Sequence, residues 1–312
     1  MKYNDAAIEK NVLNVLKHTF GSDVGTSTFI PVGEESYAFS IVLNNGSKYF
    51  IKYCDKQKII KSIDKVNALL LQLKEFDFVI PPIEVNRKTS FEVGNGKIYV
   101  YPFVEGSSIR MGNEKFDKQL VDTLTGILVS IHSANPKILV DLPQEEFENN
   151  YDQRLEQILV AKNSNNLYHK ATLLLENNEK IIRSMIEKQN QVANAYKQKS
   201  PDLVLTHGDV TGLNIIVTKE GHIKLVDWDG SMLTPPERDL NFLFDNPNFS
   251  LDKYIQLSGH KHFDLQMKEY YGRQWALDSI VENFENLLNG SKSKADNSEY
   301  LEEIEEYLSF YK

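Results

Sequence analysis

The chain holds one cysteine, Cys54, among 312 residues. An internal disulfide is excluded, and a reducing, cytoplasmic setting is expected. Cys54 itself reads as an inert, part-buried thiol on a strand. No apolar run approaches the ~20 residues needed to cross a bilayer. The first residues, MKYNDAAIEKNVLNVL, are amphipathic and carry neither an apolar signal-peptide core nor a cleavage site. Basic residues are in deficit: 35 Lys and Arg against 44 Asp and Glu, a formal charge of −9. Such a chain repels phosphate backbones, which argues against a nucleic-acid partner. Internal repeats and low-complexity tracts are missing as well.

What is present is ordinary globular composition, 41% hydrophobic and 25% charged, long enough for one large domain or two lobes. Its most informative stretch is LVLTHGDVTGLNIIVTKEGHIKLVDWDG, from Leu203 to Gly230. Short apolar runs at 203–205, 215–217 and 223–226 read as strands. The last two are joined through Lys219-Glu220-Gly221, a hairpin signal with Gly where positive φ is wanted. Two loops at one end of these strands carry Asp209 and Asn214, then Asp227 and Asp229. A single Asp in a turn is commonplace. The ordered set is not: His207, Asp209 and Asn214 fit H-x-D-x-x-x-x-N, the form of a kinase catalytic loop, and an apolar strand then ends in Asp227. Phosphoryl transfer needs a carboxylate at the attacking hydroxyl, for which Asp209 is the candidate. It needs hard oxygen ligands for Mg²⁺, which Asn214 and Asp227 supply. An EF-hand reading of Asp227-Trp228-Asp229-Gly230 fails, since it puts Leu225 at the first ligand position.

The segments HGDVTGLN, LVDWDG and PPERDLNFL together resemble the aminoglycoside phosphotransferase family. VDWDGSMLTPPERDLNFL and YPFVEG are most similar to its spectinomycin phosphotransferase branch. The resemblance runs from about Phe29 to the C-terminus. It implies an α+β, bilobal protein-kinase-like fold: a small antiparallel-sheet N-lobe that binds nucleotide (1–104) and a larger, mainly helical C-lobe for catalysis and substrate (105–312). It also implies that His207 is a buried strut for the catalytic loop rather than a proton carrier.

The N-terminal half reads in that order. Residues 5–20 form a helix pattern, capped by Asp5 and ended by Gly21. Strands are expected at 27–32, 36–43 and 48–52, the last two joined at Asn45-Gly46. The turn Gly33-Glu34-Glu35 is a poor phosphate cradle by its own chemistry. In the kinase-like fold it lies over the nucleotide, which makes Gly33 and Ser36 candidates. Lys52, at the end of its strand and before a helix, is the candidate grip on the α- and β-phosphates. That helix, 58–73, lacks the Glu with which kinases pair this lysine. Asp64 is its only acid, and the ion pair is open on that account. After a hairpin about Gly94-Asn95-Gly96 comes the linker YPFVEG. In the resembling family its backbone reads the adenine, with the Pro102 carbonyl as acceptor and the Val104 N–H as donor.

Residues 113–131 read as the scaffold helix of the second half, with further helices at 147–161, 168–199, 251–258, 263–289 and 296–311. Pro235-Pro236-Glu237-Arg238-Asp239 opens another, where Asp239 suits a first turn. Tyr271, Trp275 and Glu299 are candidates for contact with a cationic substrate; aromatics at helical spacing are more often the pattern of a core, and an acidic helix more often that of a solvated face. The reading is an ATP- and Mg²⁺-dependent phosphotransferase acting on an alcohol group of a small compound such as an aminoglycoside or aminocyclitol. No membrane partner is expected, and the protein is a monomer or homodimer. A choline-kinase-like or other metabolite kinase is the nearest alternative, and a non-catalytic nucleotide-binding module a more distant one. A protein kinase fits poorly, because Asp227 is followed by neither an extended activation segment nor an A-P-E motif.

Overall fold

The computed structural model describes residues 4–31, 36–109, 116–135, 141–164, 166–260, 263–288 and 294–312, the last with side chains from 297 onward. The chain gathers into two compact units. The first comprises Met1–Pro143, Val204–Leu233 and Asn246–Ser250; the second comprises Gln144–Leu203, Thr234–Asp245 and Leu251–Lys312.

The first unit opens with α1 (Ala6–Phe20). The Asp5 carboxylate accepts from the Ala7 and Ile8 N–H groups, and Gly21 closes the helix at φ 63°; such a cap contributes about 1 kcal/mol. The antiparallel strands β1 (Val24–Ile30), β2 (Tyr37–Leu43), β3 (Lys48–Cys54), β4 (Ser90–Val93) and β5 (Gly96–Pro102) follow, with α2 (Gln57–Gln72) between β3 and β4. They form one sheet in the order β1-β2-β3-β5-β4. The β2–β3 turn is the expected Asn45-Gly46, with Gly46 at φ 86°. β1 begins earlier than its apolar pattern suggests, with an irregular register between Val24 and Thr26.

Strand alternation gives this sheet two covered faces. Phe39, Ile41, Ile51, Tyr53, Ile98 and Val100 pack on Val12 and Leu16 of α1. Cys54 and Tyr99 point the other way and pack on Ile60 and Ile63 of α2. Lys52 alternates with Ile51 and Tyr53, so the pleat carries it on the α2 face.

After α2 the chain bends so that the Leu225 N–H donates to Phe78 O at 2.9 Å and Val79 bridges Leu225. This docks the central hairpin. Its strands β8 (Ile215–Thr218) and β9 (Ile223–Leu225) are joined by β6 (Gly106–Ser108) in a sheet of order β6-β8-β9. β7 (Val204–Thr206) pairs with β10 (Met232–Thr234). The apolar face of α3 (Lys118–His132) buries Val121, Leu124, Leu128 and Ile131. His132 is buried at its end, as a structural residue would be.

The second unit is helical: α4 (Tyr151–Asn163), α5 (His169–Lys199), α6 (Glu237–Phe244), α7 (Leu251–Ser258), α8 (Leu265–Asn286) and α9 (Lys294–Ser309). α4, α5, α8 and α9 share one core, which includes Leu155, Ile182, Leu277, Phe284, Ile304 and Leu308. α4 starts at Tyr151 rather than at 147. Phe147 adopts φ 53°, its N–H is taken by Glu145 Oε1 at 2.8 Å, and its ring packs with Tyr196 and Tyr270.

Candidate active site

Within the first unit the structure pairs four side chains singled out by sequence, Lys52 with Asp227 and Asn214 with Asp209. β3 brings Lys52. The loop after β7 brings Asp209 and Asn214, and the loop after β9 brings Asp227. Lys52 Nζ lies 3.2 Å from Asp227 Oδ1 across 175 residues of chain, and it also bonds to Asp229. The lysine side chain is only 15% exposed, whereas those of Asp227 and Asp229 are 52% and 38% exposed. Burial alone would draw its ammonium below the ordinary lysine value. The carboxylates of Asp227 and Asp229 outweigh that, and the pKa is raised instead. The cation is therefore fixed at any physiological pH.

Asp227 adopts φ 62°, ψ 63° at the head of a single 3-10 turn, Trp228–Gly230. This left-handed conformation is uncommon for a side-chain-bearing residue and is best tolerated by Asn and Asp. It turns the chain sharply at the end of the hairpin. Trp228 is buried beneath the turn, with its indole N–H on Leu225 O at 3.1 Å.

The two loops form one frame. The Val226 N–H donates to Asn214 O at 3.0 Å. His207, fully buried, stacks on Trp228 with ring centroids 4.6 Å apart. Its Nδ1 accepts from the Asp209 N–H at 3.2 Å, which leaves Nε2 to donate to Val226 O at 3.2 Å. This is the geometry of a strut between the loops.

Asn214 Nδ2 donates to Asp209 Oδ2 at 2.8 Å and to Asp209 O at 3.0 Å. The amide nitrogen is thus committed to Asp209, and the amide oxygen is left as an acceptor. Asp209 Oδ1 is buried and makes no hydrogen bond among the described residues. A buried acceptor in this state is costly unless something else serves it. An amide oxygen beside carboxylates is a hard donor set. It suits Mg²⁺, which proteins hold through one or two carboxylates together with substrate phosphates rather than in an all-protein cage.

The remaining candidates divide. Ser36 is buried immediately before β2. Gly33 lies outside the described residues. Pro102 ends β5 opposite Tyr49. The Phe103 N–H is used by Lys48 O at 3.2 Å, and the Lys48 ammonium lies over the Phe103 ring, 3.8 Å from its centroid. Val104 comes next, and its N–H makes no hydrogen bond among the described residues. In the second unit, Tyr271 is 4% exposed and donates to Glu145 Oε2 at 3.1 Å. That burial favours the packing role that its helical spacing also suggested. Trp275 is 44% exposed and donates to the Tyr307 hydroxyl at 2.8 Å. Glu299 is exposed on α9. Asp239 is buried in the first turn of α6.

Asp64 is engaged on the α2 face of the sheet. Its Oδ2 holds Lys97 at 2.9 Å and its Oδ1 accepts from the Tyr99 hydroxyl at 3.1 Å, so it is not the partner of Lys52. Sequence reasoning gave no role to Asp229, Tyr101 or Asn67. The only local signal was the D-x-D spacing of Asp227 and Asp229.

Comparison with known proteins bears on this geometry. The family model described as the phosphotransferase enzyme family matches residues 26–276. A curated relative, Protein StrN of Streptomyces griseus, is 23% identical over 294 residues, which cover 90% of this chain and 85% of that protein. Among solved structures, spectinomycin phosphotransferase APH(9)-Ia in complex with ADP and spectinomycin is similar with a TM-score of 0.76 at 21% identity, over 95% of this chain and 93% of that one. The choline kinase LicA of Streptococcus pneumoniae is similar with a TM-score of 0.60 at 16% identity, over 98% of this chain and 97% of that one. These likenesses show the kinase-like fold.

Proposed function

The chain belongs to the phosphotransferase enzyme family, and from that premise we propose that it transfers the γ-phosphoryl group of ATP to a hydroxyl of a small, amine-bearing acceptor of the aminoglycoside or aminocyclitol class. The observation that carries this reading is the convergence of Lys52 on Asp227 at 3.2 Å, in the frame that also holds Asp209 against Asn214. In the proposed chemistry Lys52 grips the nucleotide phosphates. Asp209 orients the acceptor hydroxyl and takes its proton. Asn214 and Asp227 would hold Mg²⁺, which when bound would supply charge to neutralise the phosphates. The protein's own share is positioning and charge, as expected for a loose transition state.

Supporting the nucleotide assignment, one similar structure is an ADP complex. The free Val104 N–H is the donor expected to meet the adenine, and the Pro102 carbonyl the expected acceptor. Supporting the acceptor class, that same neighbour binds spectinomycin, another is a complex with GDP and kanamycin, and the net charge of −9 suits a cationic substrate. The choline kinase among the similar structures favours choline as the second acceptor to try.

The test is ADP release with Mg·ATP across spectinomycin, kanamycin, choline and simple amino sugars. Turnover with an aminocyclitol or aminoglycoside well above that with choline is expected. Turnover with choline alone would move the assignment to the second acceptor. Nucleotide binding with no turnover on any of them would overturn the catalytic reading.

A further inference from the structure

A buried lysine that must present its ammonium to phosphates needs an anion to aim it, and the helix from which kinases draw that anion has none available here. The only acid of α2, Asp64, is held by Lys97 at 2.9 Å and by the Tyr99 hydroxyl at 3.1 Å. One turn further along α2 stands Asn67, fully buried and neutral. Its Oδ1 accepts from the Tyr101 hydroxyl at 2.8 Å, and its Nδ2 has no partner among the described residues. Tyr101 lies close enough to Lys52 for the two to interact electrostatically. The wall of the lysine pocket on the α2 side is therefore a neutral Tyr101–Asn67 pair.

The negative charge comes from the other side. The 3-10 turn Trp228–Gly230 packs against α2, and its Asp229 bonds directly to the Lys52 ammonium. Asp227 also touches it, at 3.2 Å, but Asp227 is the residue proposed to hold Mg²⁺, and a bound metal would draw on its charge. Among the described residues Asp229 makes no other side-chain hydrogen bond or ion pair, and it stands two residues further along the same turn. We propose that Asp229 is the positioning residue of Lys52, replacing the helix acid of kinases, so that in this chain the phosphate-gripping lysine is aimed from the metal loop rather than from α2. The inference rests on the phosphate-binding role proposed for Lys52. It makes a distinct claim, that the lysine and the metal loop form one charge-coupled unit on which α2 has no electrostatic hold.

The test uses full-length protein, free of metal and nucleotide, and reads the rate at which an amine-directed acylating ester modifies Lys52, by peptide mass spectrometry. In Asp229→Asn the rate is expected to rise severalfold, since each pKa unit lost by the amine multiplies its neutral fraction about tenfold. Asp64→Asn and the charge-conserving Asp229→Glu are expected to react at the wild-type rate. In steady-state assays Asp229→Asn is expected to lower kcat about tenfold with a smaller change in KM for ATP, and Asp229→Glu to recover most of the loss. A residue that only ligated metal would lower kcat without speeding acylation in the metal-free protein, and that result would overturn the proposal. So would a severalfold faster reaction in Asp64→Asn. Should Asp229→Asn fail to fold by circular dichroism, Asp229→Ser is the second neutral variant, judged by the same criterion. Full turnover in Lys52→Met would instead remove the phosphate-gripping role, leaving the pairing of Lys52 with Asp229 to be decided by acylation alone.

Discussion

The amide of Asn214 holds the carboxylate of Asp209 at 2.8 Å, and this bond fixes both residues at once. It turns one carboxylate oxygen of Asp209 into the frame and leaves the other unbonded. It also turns the Asn214 amide oxygen away from Asp209, where it can meet a cation. Asp209→Asn conserves shape but removes the proton acceptor. It is expected to lower kcat by about 10²–10⁴, the usual worth of a positioned general base, while ADP affinity by titration calorimetry stays within a few-fold of wild type. Turnover unaffected by this change would remove Asp209 from the proton-transfer role.

Because the His207 ring ties the Asp209 N–H to the Val226 carbonyl, its loss is expected to act on both loops together. His207→Phe keeps the contact with Trp228 in kind but leaves the part-buried Asp209 N–H and Val226 C=O without these partners, at about 1 kcal/mol each. Urea unfolding should show that loss. A lower kcat should accompany it, with no new dependence of kcat on pH near 6–7, where an imidazole working as a proton carrier would titrate. A wild-type pH profile that lost its imidazole limb in the variant would contradict the strut assignment.

The expectations that came closest were those in which chemistry or backbone geometry dictates local spacing. Asp5 and Gly21 end a helix for reasons written in four or five consecutive residues. The same holds for Gly46, at φ 86° in its hairpin turn, and for the H-x-D-x-x-x-x-N loop, which presents Asp209 and Asn214 to one another. What stayed hidden involves side chains distant in sequence. Lys52 and Asp229 are 177 residues apart, and nothing in either neighbourhood announces the other. The partnerships of Asp64 with Lys97 and Tyr99 were equally invisible, although they decide which acid is free. Tyr271 was ambiguous for a different reason. α8 buries Met267, Tyr271, Arg273, Ala276 and Asn283, which together span more than half of its circumference, so its sequence has no clean polar face from which an orientation could be read.

Gly106 closes the linker at a point where a side chain has no room. A Cβ there would stand 2.5 Å from Val217 O and 2.6 Å from the Ile216 side chain. Both belong to β8, with which β6 pairs. Gly106→Ala is expected to push the linker off the hairpin that carries the catalytic loop. The cost should be about 1–3 kcal/mol, as for other overpacked sites, read as a lower denaturation midpoint. If the proposed role of Val104 holds, KM for ATP should rise as well. Gly126→Ala, on α3 with nothing within 4 Å of the added Cβ, is the comparison and should be neutral or slightly stabilising.

The pH dependence of stability offers a check away from the site. Glu237 is 4% exposed in the first turn of α6, and its Oε1 accepts the Asp264 N–H at 2.8 Å. Burial raises its pKa above the ordinary carboxylate value; hydrogen bonds from backbone N–H groups oppose the rise only in part, and the Asp264 charge adds to it. The folded protein therefore holds this proton more tightly than the unfolded chain does. The group favours the fold fully below its unfolded pKa, near ~4.3 for Glu. That contribution falls away as pH climbs from there through the raised folded value. Glu237→Gln keeps an acceptor for the Asp264 N–H and has no proton to lose. The melting temperature of the variant minus that of wild type is therefore expected to increase between pH 4 and pH 7, and to be small at the acid end, where both side chains are neutral. A difference that instead declines toward pH 7 would show that the α6 N-terminus stabilises the carboxylate by more than burial costs it, and the sign of the shift at Glu237 would have to be reversed.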